Sequence, residues 1–222
     1  TVQNLTPSDS ISLFPYFPDT PTFRYTHARY LDNHVKVDNY FAEYIDMLED
    51  DGVLDDTFIF YFGDHGGVLP RGKGYIYENG LHVPLIVYVP ENWRHLVDAD
   101  YGDRVRGFVS FIDFAPTVLH LAGIEVPSHM DGSPFLGPQI DLERVNERDQ
   151  AFGYADRFDE KIDHVRSLRK GKFKYIRNYQ PFNVDGLWND YRYIMLAYQE
   201  WWELFRSGEL NEIQSQFFEA RP

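Results

Sequence analysis

The sequence predicts an α/β fold, and three observations lead to that prediction. Residues 25–50 repeat apolar side chains at helical spacing, and residues 57–62 and 84–89 are short apolar runs rich in strand formers. Helix, strand, loop and strand in this order are typical of layered α/β architecture. A chain of 222 residues can bury one sizeable core, so we expect one main domain over residues 1–148 and a small subdomain over 149–222.

The main domain is expected to contain two helices and a mainly parallel sheet. Three prolines make residues 8–22 an extended connector, and Gly52 is placed to end the helix over 25–50. Strands 57–62 and 84–89 are apolar throughout, as in parallel strands covered on both faces. Residues 106–111 are a third candidate strand. Asp113 is placed to cap a helix running from Phe114 to Leu121.

The subdomain is expected to be a small antiparallel α+β unit. Short strands are predicted at residues 151–154, 163–168 and 173–177, with a hairpin turn at 170–172. Two aromatic-rich helices are predicted after them, at residues 187–205 and 209–218. The segment from 127 to 148 is predicted to be mostly loop.

Composition excludes several classes of function. The formal charge of −14 disfavours nucleic acid as a partner, and an anionic substrate would need a cation in the site to reverse the local sign. The chain has no cysteine, so it holds no disulfide, thiolate metal site or cysteine nucleophile. No apolar run reaches the ~20 residues of a membrane span, and the first ten residues lack the features of a signal peptide. A start without Met, leading at once into a long helix, indicates a trimmed form or a piece of a longer protein.

Asp64 and His65 are the candidate metal ligands. They follow the first predicted strand, where ligands gather in open α/β sheets, and flanking glycines allow close backbone approach. An oxygen donor here suits Ca²⁺ or Mg²⁺, while the imidazole keeps Mn²⁺ and Zn²⁺ open. The alternative is a strand-ending turn with a solvated acid.

Lys73, between Gly72 and Gly74, is the candidate catalytic residue. A lysine there can approach an anion as a compact charge, although a solvated loop lysine is the plainer alternative. The order Asp-Thr-Phe-Ile-Phe-Tyr-Phe-Gly-Asp-His-Gly at 56–66, Gly-Lys-Gly at 72–74 and Tyr-Glu-x-Gly-x-x-x-Pro at 77–84 resembles the second signature of the sulfatase family. Further segments at 110–117, 123–127, 130–132 and 172–178 are similar to the same family, so the resemblance covers about residues 20–180.

The resemblance implies an alkaline-phosphatase-like fold, with a mainly parallel sheet between helices and a small antiparallel C-terminal subdomain. It implies that Asp64 and His65 bind the active-site cation, which in this family is Ca²⁺. It also implies that Lys73 contacts the sulfate and the leaving-group side of the substrate. The family's formylglycine nucleophile motif and an N-terminal pair of acidic metal ligands do not occur in the 222 residues. The missing N-terminal half of the same protein is therefore the expected partner, and the isolated chain is expected to be inactive.

Three further residues are candidates for substrate contact. His82 stands where the family commonly has Arg, a change that alters either substrate contacts or the fold of that loop. Arg157 and His164 lie in a charged cluster where related enzymes shape the substrate end of the site. The alternative for that cluster is a salt-bridged surface loop.

The predicted function is hydrolysis of a sulfuric ester, on a sulfated carbohydrate, by formylglycine- and metal-dependent chemistry in the full-length enzyme. The family implies a periplasmic, secreted or lysosomal location. Two alternatives stay open: a phosphoesterase or phosphonate hydrolase of the same superfamily, and a non-catalytic chain without its own nucleophile.

Overall fold

A computed structural model describes residues 5–221 of the chain as a mixture of helices and short antiparallel sheets. The helices are α1 Pro21–Asp50, α2 Glu78–Leu81, α3 Phe114–Leu121, α4 Leu142–Asn146, α5 Asp190–Tyr193, α6 Leu196–Ser207 and α7 Glu212–Ser215. The strands are β1 Ile59–Phe62, β2 Leu85–Tyr88, β3 Gln150–Phe158, β4 Lys161–Lys170 and β5 Phe173–Asn178. No helix within residues 5–221 is long and apolar enough to cross a membrane.

Helix α1 confirms the strongest sequence prediction and begins four residues earlier than expected. The Thr20 hydroxyl accepts from the Phe23 N–H at 3.2 Å, which caps the helix, and Pro21 occupies the first turn. Its buried residues, Phe23, Ala28 and Asp32, all lie in its first half. The second half runs past β1, where the Phe41 and Tyr61 rings lie 5.0 Å apart.

Strands β1 and β2 were both predicted, but their pairing is antiparallel rather than parallel. Ile59 pairs with Tyr88 and Phe62 with Leu85. A parallel neighbour needs a crossover, usually a full helix, whereas the chain between these strands contains only the single-turn helix α2 and folds straight back. No parallel pair occurs among the strands of residues 5–221.

The prediction of a third strand at residues 106–111 is wrong, because no strand forms there. The Phe108 N–H donates to the Arg148 carbonyl at 2.8 Å, and the Arg106 N–H donates to the Asn146 side chain at 2.7 Å. The backbone N–H groups of this segment therefore hydrogen-bond to the end of α4 and the residues after it, not to a neighbouring strand. Gly107 packs so closely on Val145 that a Cβ would collide with its carbonyl.

Helix α3 has the bounds that were predicted, but Asp113 does not cap it. Its carboxylate accepts from the N–H groups of Ser110 and Ser133, each at 2.9 Å. Asp113 therefore closes the preceding 3₁₀ turn, Phe111–Asp113, and ties it to the loop that follows α3.

The predicted C-terminal sheet is confirmed as an antiparallel meander in the order β3-β4-β5. Gly171 takes a positive φ of 51° in the β4–β5 turn, and a bulge lies between Ala155 and Arg157 in β3. The two predicted C-terminal helices are each broken, into α5 and α6 and into α7 and a 3₁₀ turn, Gln216–Phe218.

Two hydrophobic cores hold these elements. One lies around β1, β2 and α3 and includes Val89, Phe135 and Val145. The other joins Phe17 and Phe23 to Trp201 and Phe217, with the Trp201 and Phe217 rings stacked 4.1 Å apart. This second core crosses the predicted boundary at residue 148, and the domain division remains a prediction.

Candidate functional site

The candidate site begins at the end of β1, where Asp64 and His65 lie side by side. The Asp64 carboxylate is 81% exposed, and its Oδ1 lies 3.4 Å from His65 Nε2. His65 Nδ1 lies 2.9 Å from the Gly66 carbonyl oxygen. A carbonyl can only accept, so Nδ1 carries a proton, and in the neutral imidazole the lone pair then lies on Nε2, beside the carboxylate. The pair therefore offers one oxygen and one nitrogen donor.

The glycines after this pair are required by close backbone packing. The Gly66 N–H donates to the Gly80 carbonyl at 2.9 Å, and a Cβ on Gly66 would collide with the Asn79 carbonyl. A Cβ on Gly67 would press on the Tyr30 hydroxyl of α1. Helices α1 and α2 thus enclose the turn from two sides.

Lys73 is anchored to the same turn through its backbone. Its backbone N–H donates to the carbonyl of Gly67 at 2.9 Å, and Gly67 is two positions after His65. Its ammonium donates to the Tyr191 hydroxyl at 3.2 Å and lies 4.9 Å from the centre of the Tyr191 ring. The structure thus ties all three principal candidates to one loop.

Arg71 in this loop was not singled out from the sequence. It has a positive φ of 63°, which is rare for a residue with a side chain. Its guanidinium lies 3.8 Å from the Tyr77 ring centre and 4.5 Å from that of Tyr16. Its backbone N–H donates to the Tyr198 hydroxyl at 3.1 Å. A residue in this strained conformation must be held by its surroundings, and these aromatic contacts supply the restraint.

A buried polar network supports the loop from behind. The Tyr77 hydroxyl donates to the Asp185 carboxylate at 2.5 Å, and the Tyr75 hydroxyl donates to the Asp185 carbonyl at 3.0 Å. Burial, and then the negative charge of Asp185, raise the pKa of Tyr77 far above its ordinary value, so Tyr77 remains a hydrogen-bond donor. Arg221 bridges Asp185 and Asp163.

The three candidates for substrate contact lie at exposed positions outside this loop. His82 is exposed at the end of α2, and Arg157 donates through Nε to the Asp159 carbonyl at 2.5 Å. His164 is exposed on β4 with a φ of 54°. Within the described residues, none of their hydrogen bonds or ion pairs reaches Asp64, His65 or Lys73. Phe158, next to Arg157, does reach this loop: its ring lies 5.7 Å from that of Tyr191, and a Cβ on Gly74 would collide with it.

The described part of the chain contains no cluster of three or more His, Cys, Asp or Glu side chains placed to hold a metal. The Asp64 and His65 pair supplies two donors, and Ca²⁺ takes six to eight. The pair therefore fits as part of a coordination shell, while the neighbouring lysine supplies a positive charge for an anion.

Comparison with known proteins gives one family. The sulfatase family model matches residues 8–124. An ulvan-active sulfatase of Formosa agariphila is 38% identical over 98% of this chain and 35% of its own length. Human N-sulphoglucosamine sulphohydrolase is 28% identical over 78% of the chain and 36% of its own length.

A third relative, an N-acetylglucosamine-6-O-sulfatase of Bacteroides thetaiotaomicron, is 30% identical over 69% of the chain and 28% of its own length. The chain thus spans about a third of the length of the curated relatives it matches. Because the family model covers more than half of the chain, the chain belongs to the sulfatase family.

Proposed function

We propose that the full-length protein hydrolyses a sulfate ester on a carbohydrate, and that Asp64, His65 and Lys73 form one side of its active site. The observation that carries the proposal is the attachment of Lys73, through its backbone, to the turn that presents Asp64 and His65. Names of relatives support the substrate class, since one is an ulvan-active sulfatase and another an N-acetylglucosamine-6-O-sulfatase.

The proposal includes a cation, with Asp64 Oδ1 and His65 Nε2 as two of its ligands. The exposed carboxylate suits Ca²⁺, the first choice, and Mg²⁺, while the imidazole nitrogen keeps Mn²⁺ and Zn²⁺ open. The other ligands and a formylglycine nucleophile would come from the rest of the full-length protein. That part would also complete an alkaline-phosphatase-like, mainly parallel sheet, with residues 1–148 in the catalytic domain and 149–222 in a subdomain.

The residues of this chain would contribute charge stabilisation. A bound cation supplies Lewis acidity toward the sulfuryl oxygens. Lys73 places an ammonium where negative charge grows on the sulfuryl and leaving oxygens as the S–O bond breaks, and stabilisation of that kind lowers the barrier most when the donor is already in position. The Asp64 carboxylate is exposed at the end of β1, and the His65 imidazole beside it is partly exposed.

His82, Arg157 and His164 are proposed to contact the carbohydrate rather than the sulfate. All three side chains are exposed, and Arg157 adjoins Phe158, which reaches Tyr191 and so the neighbourhood of Lys73. The family also suggests a periplasmic, secreted or lysosomal location for the full-length protein.

The test is hydrolysis of an aryl sulfate and an aryl phosphate by the full-length protein and by Lys73→Ala. We expect faster sulfate hydrolysis, and a loss of about 10²- to 10³-fold in Lys73→Ala, because a preorganised charge is removed. Lys172→Ala, which removes an exposed lysine from the β4–β5 turn, is the matched control and should keep full activity. Equal rates for Lys73→Ala and wild type with an unchanged melting temperature would exclude the role of Lys73, and a faster aryl phosphate rate would indicate a phosphoesterase.

A further inference from the structure

Two consecutive residues of α5 contact the Lys73 loop from across the sequence. Tyr191 accepts a hydrogen bond from the Lys73 ammonium at 3.2 Å. Arg192 donates through Nη2 to the Gly74 carbonyl at 3.0 Å. One contact holds the lysine side chain and the other holds the backbone directly after it, so a single helical turn restrains both.

Arg192 is buried where it makes this contact with Gly74. It is only 4% exposed, and its guanidinium lies between the Tyr75 and Phe158 rings, 4.1 and 4.3 Å from their centres. Planar stacking of this kind suits Arg and fixes the fork that reaches Gly74. The φ of Gly74 is +78°, and a Cβ there would collide with both Arg192 and Phe158.

The turn that carries these residues is itself fixed. Asn189 is fully buried, accepts from the Arg192 N–H at 3.0 Å and donates to the Phe158 carbonyl at 3.2 Å. Glu160, in the turn between β3 and β4, accepts from Asn189 at 3.1 Å and from the Asp190 N–H at 2.6 Å. The C-terminal sheet therefore sets the position of α5.

We propose that Tyr191 is a positioning residue for Lys73: its hydroxyl and ring hold the ammonium in the orientation in which it meets the sulfate group. A lysine has a long flexible stem, and restricting that stem before substrate binds removes an entropic cost from the reaction. The ammonium has three N–H donors, so the bond to Tyr191 leaves two for the anion. This inference rests on the proposed function of Lys73.

The first test is a double-mutant cycle on sulfate ester hydrolysis by the full-length protein. Tyr191→Phe keeps the ring and removes the hydroxyl, so we expect kcat to fall about 3- to 10-fold, as for loss of one hydrogen bond, with little change in KM. In a Lys73→Ala background the same change should have almost no further effect, because the residue acts through the lysine. Tyr175→Phe, on an exposed tyrosine of β5, is the control and should match wild type.

A structural role for Tyr191 would give a different result. The fold-loss of kcat caused by Tyr191→Phe would then multiply with that caused by Lys73→Ala, and Tyr191→Phe would also lower the melting temperature. Either multiplied losses or an unchanged kcat in Tyr191→Phe would overturn the inference while leaving Lys73 as a site residue.

The second test does not depend on activity. Reductive ¹³C-dimethylation labels each lysine while leaving one N–H donor, and Lys73→Arg identifies the Lys73 resonance. We expect this resonance to move in Tyr191→Phe and to stay in place in Tyr175→Phe. An unmoved resonance would contradict the contact even in a protein that hydrolysed no sulfate ester, so failure of the inference can be told from failure of the proposed function.

Discussion

Lys161 is a buried amine next to the network that supports the candidate site. Its ammonium lies 3.4 Å from the Asp163 carboxylate and 5.4 Å from the Tyr75 ring centre, and its side chain is 1% exposed. Burial lowers the pKa of Lys161 to about 8, against the opposing effect of Asp163. The folded protein therefore binds this proton less tightly than the unfolded chain does.

This difference predicts how stability changes with pH. Between pH 8 and about 10.5 the unfolded state binds more protons at this position, so the free energy of unfolding should rise with pH. From pH 7 to 9.5 the gain should be about 2 kcal/mol relative to Lys161→Met, which cannot titrate. Urea unfolding of both proteins across this range checks it, and the comparison cancels the titration of buried tyrosines. Parallel curves for the two proteins would contradict the prediction.

The sequence singles out Asp64, His65 and Lys73 because they lie within ten positions of one another and match one motif, and their roles stay predictions. Tyr191, Arg192 and Asp185 could not be singled out, because each is more than a hundred residues from the loop it contacts. Nothing in the local pattern around Tyr191 distinguishes it from other tyrosines of an aromatic-rich segment.

Helix α2 has one position that only glycine can occupy. A Cβ on Gly80 would collide with the Tyr75 carbonyl and lie 2.6 Å from the Gly72 carbonyl, and neither backbone atom can move freely. We expect Gly80→Ala to lower the free energy of unfolding by about 2 to 3 kcal/mol, as for overpacking. Asn79→Ala, at an exposed position in the same helix, should change it by less than about 0.5 kcal/mol. The midpoints of urea unfolding of the two variants and of wild type measure this difference, and equal midpoints for Gly80→Ala and wild type would contradict the prediction.

The strands and helices were predictable where one pattern persists, as in α1, α3 and the meander β3-β4-β5. The direction of β2 relative to β1 was not, because an apolar run is the same in a parallel or an antiparallel strand. Residues 106–111 show the same limit, since their backbone donors pair with the end of α4 and the residues after it, a long-range fact that no local pattern carries.

The chain leaves an extensive apolar surface open. The second half of α1 exposes Tyr40, Tyr44 and Met47, and β2 exposes Ile86. Strands β1 and β2 form a sheet of two, so each has an unpaired edge within the described residues. Exposed apolar faces beside open strand edges favour association.

We therefore expect the 222-residue chain to self-associate when it is prepared alone. Sedimentation over about a hundredfold range of concentration should show a rising mass. Tyr44→Glu should reduce the association, whereas Ala42→Glu, on the opposite side of α1, should reduce it less. A monomer with a sharp, concentration-independent melting transition would contradict this.

The aromatic core that joins Phe17 and Phe23 to Trp201 has a further consequence, for the order of folding. The Phe17 carbonyl accepts from the Gln214 side chain at 3.1 Å, and the Thr20 hydroxyl donates to Glu200 at 2.6 Å, across 197 and 180 residues of sequence. At ribosomal rates of about 5 to 20 residues per second, the start of α1 waits roughly 10 to 40 s for these partners to be synthesised. Contacts of such separation form late and slow the search for the native state. During synthesis Phe17 and Phe23 therefore stay exposed until the C-terminal aromatic residues that bury them have been made.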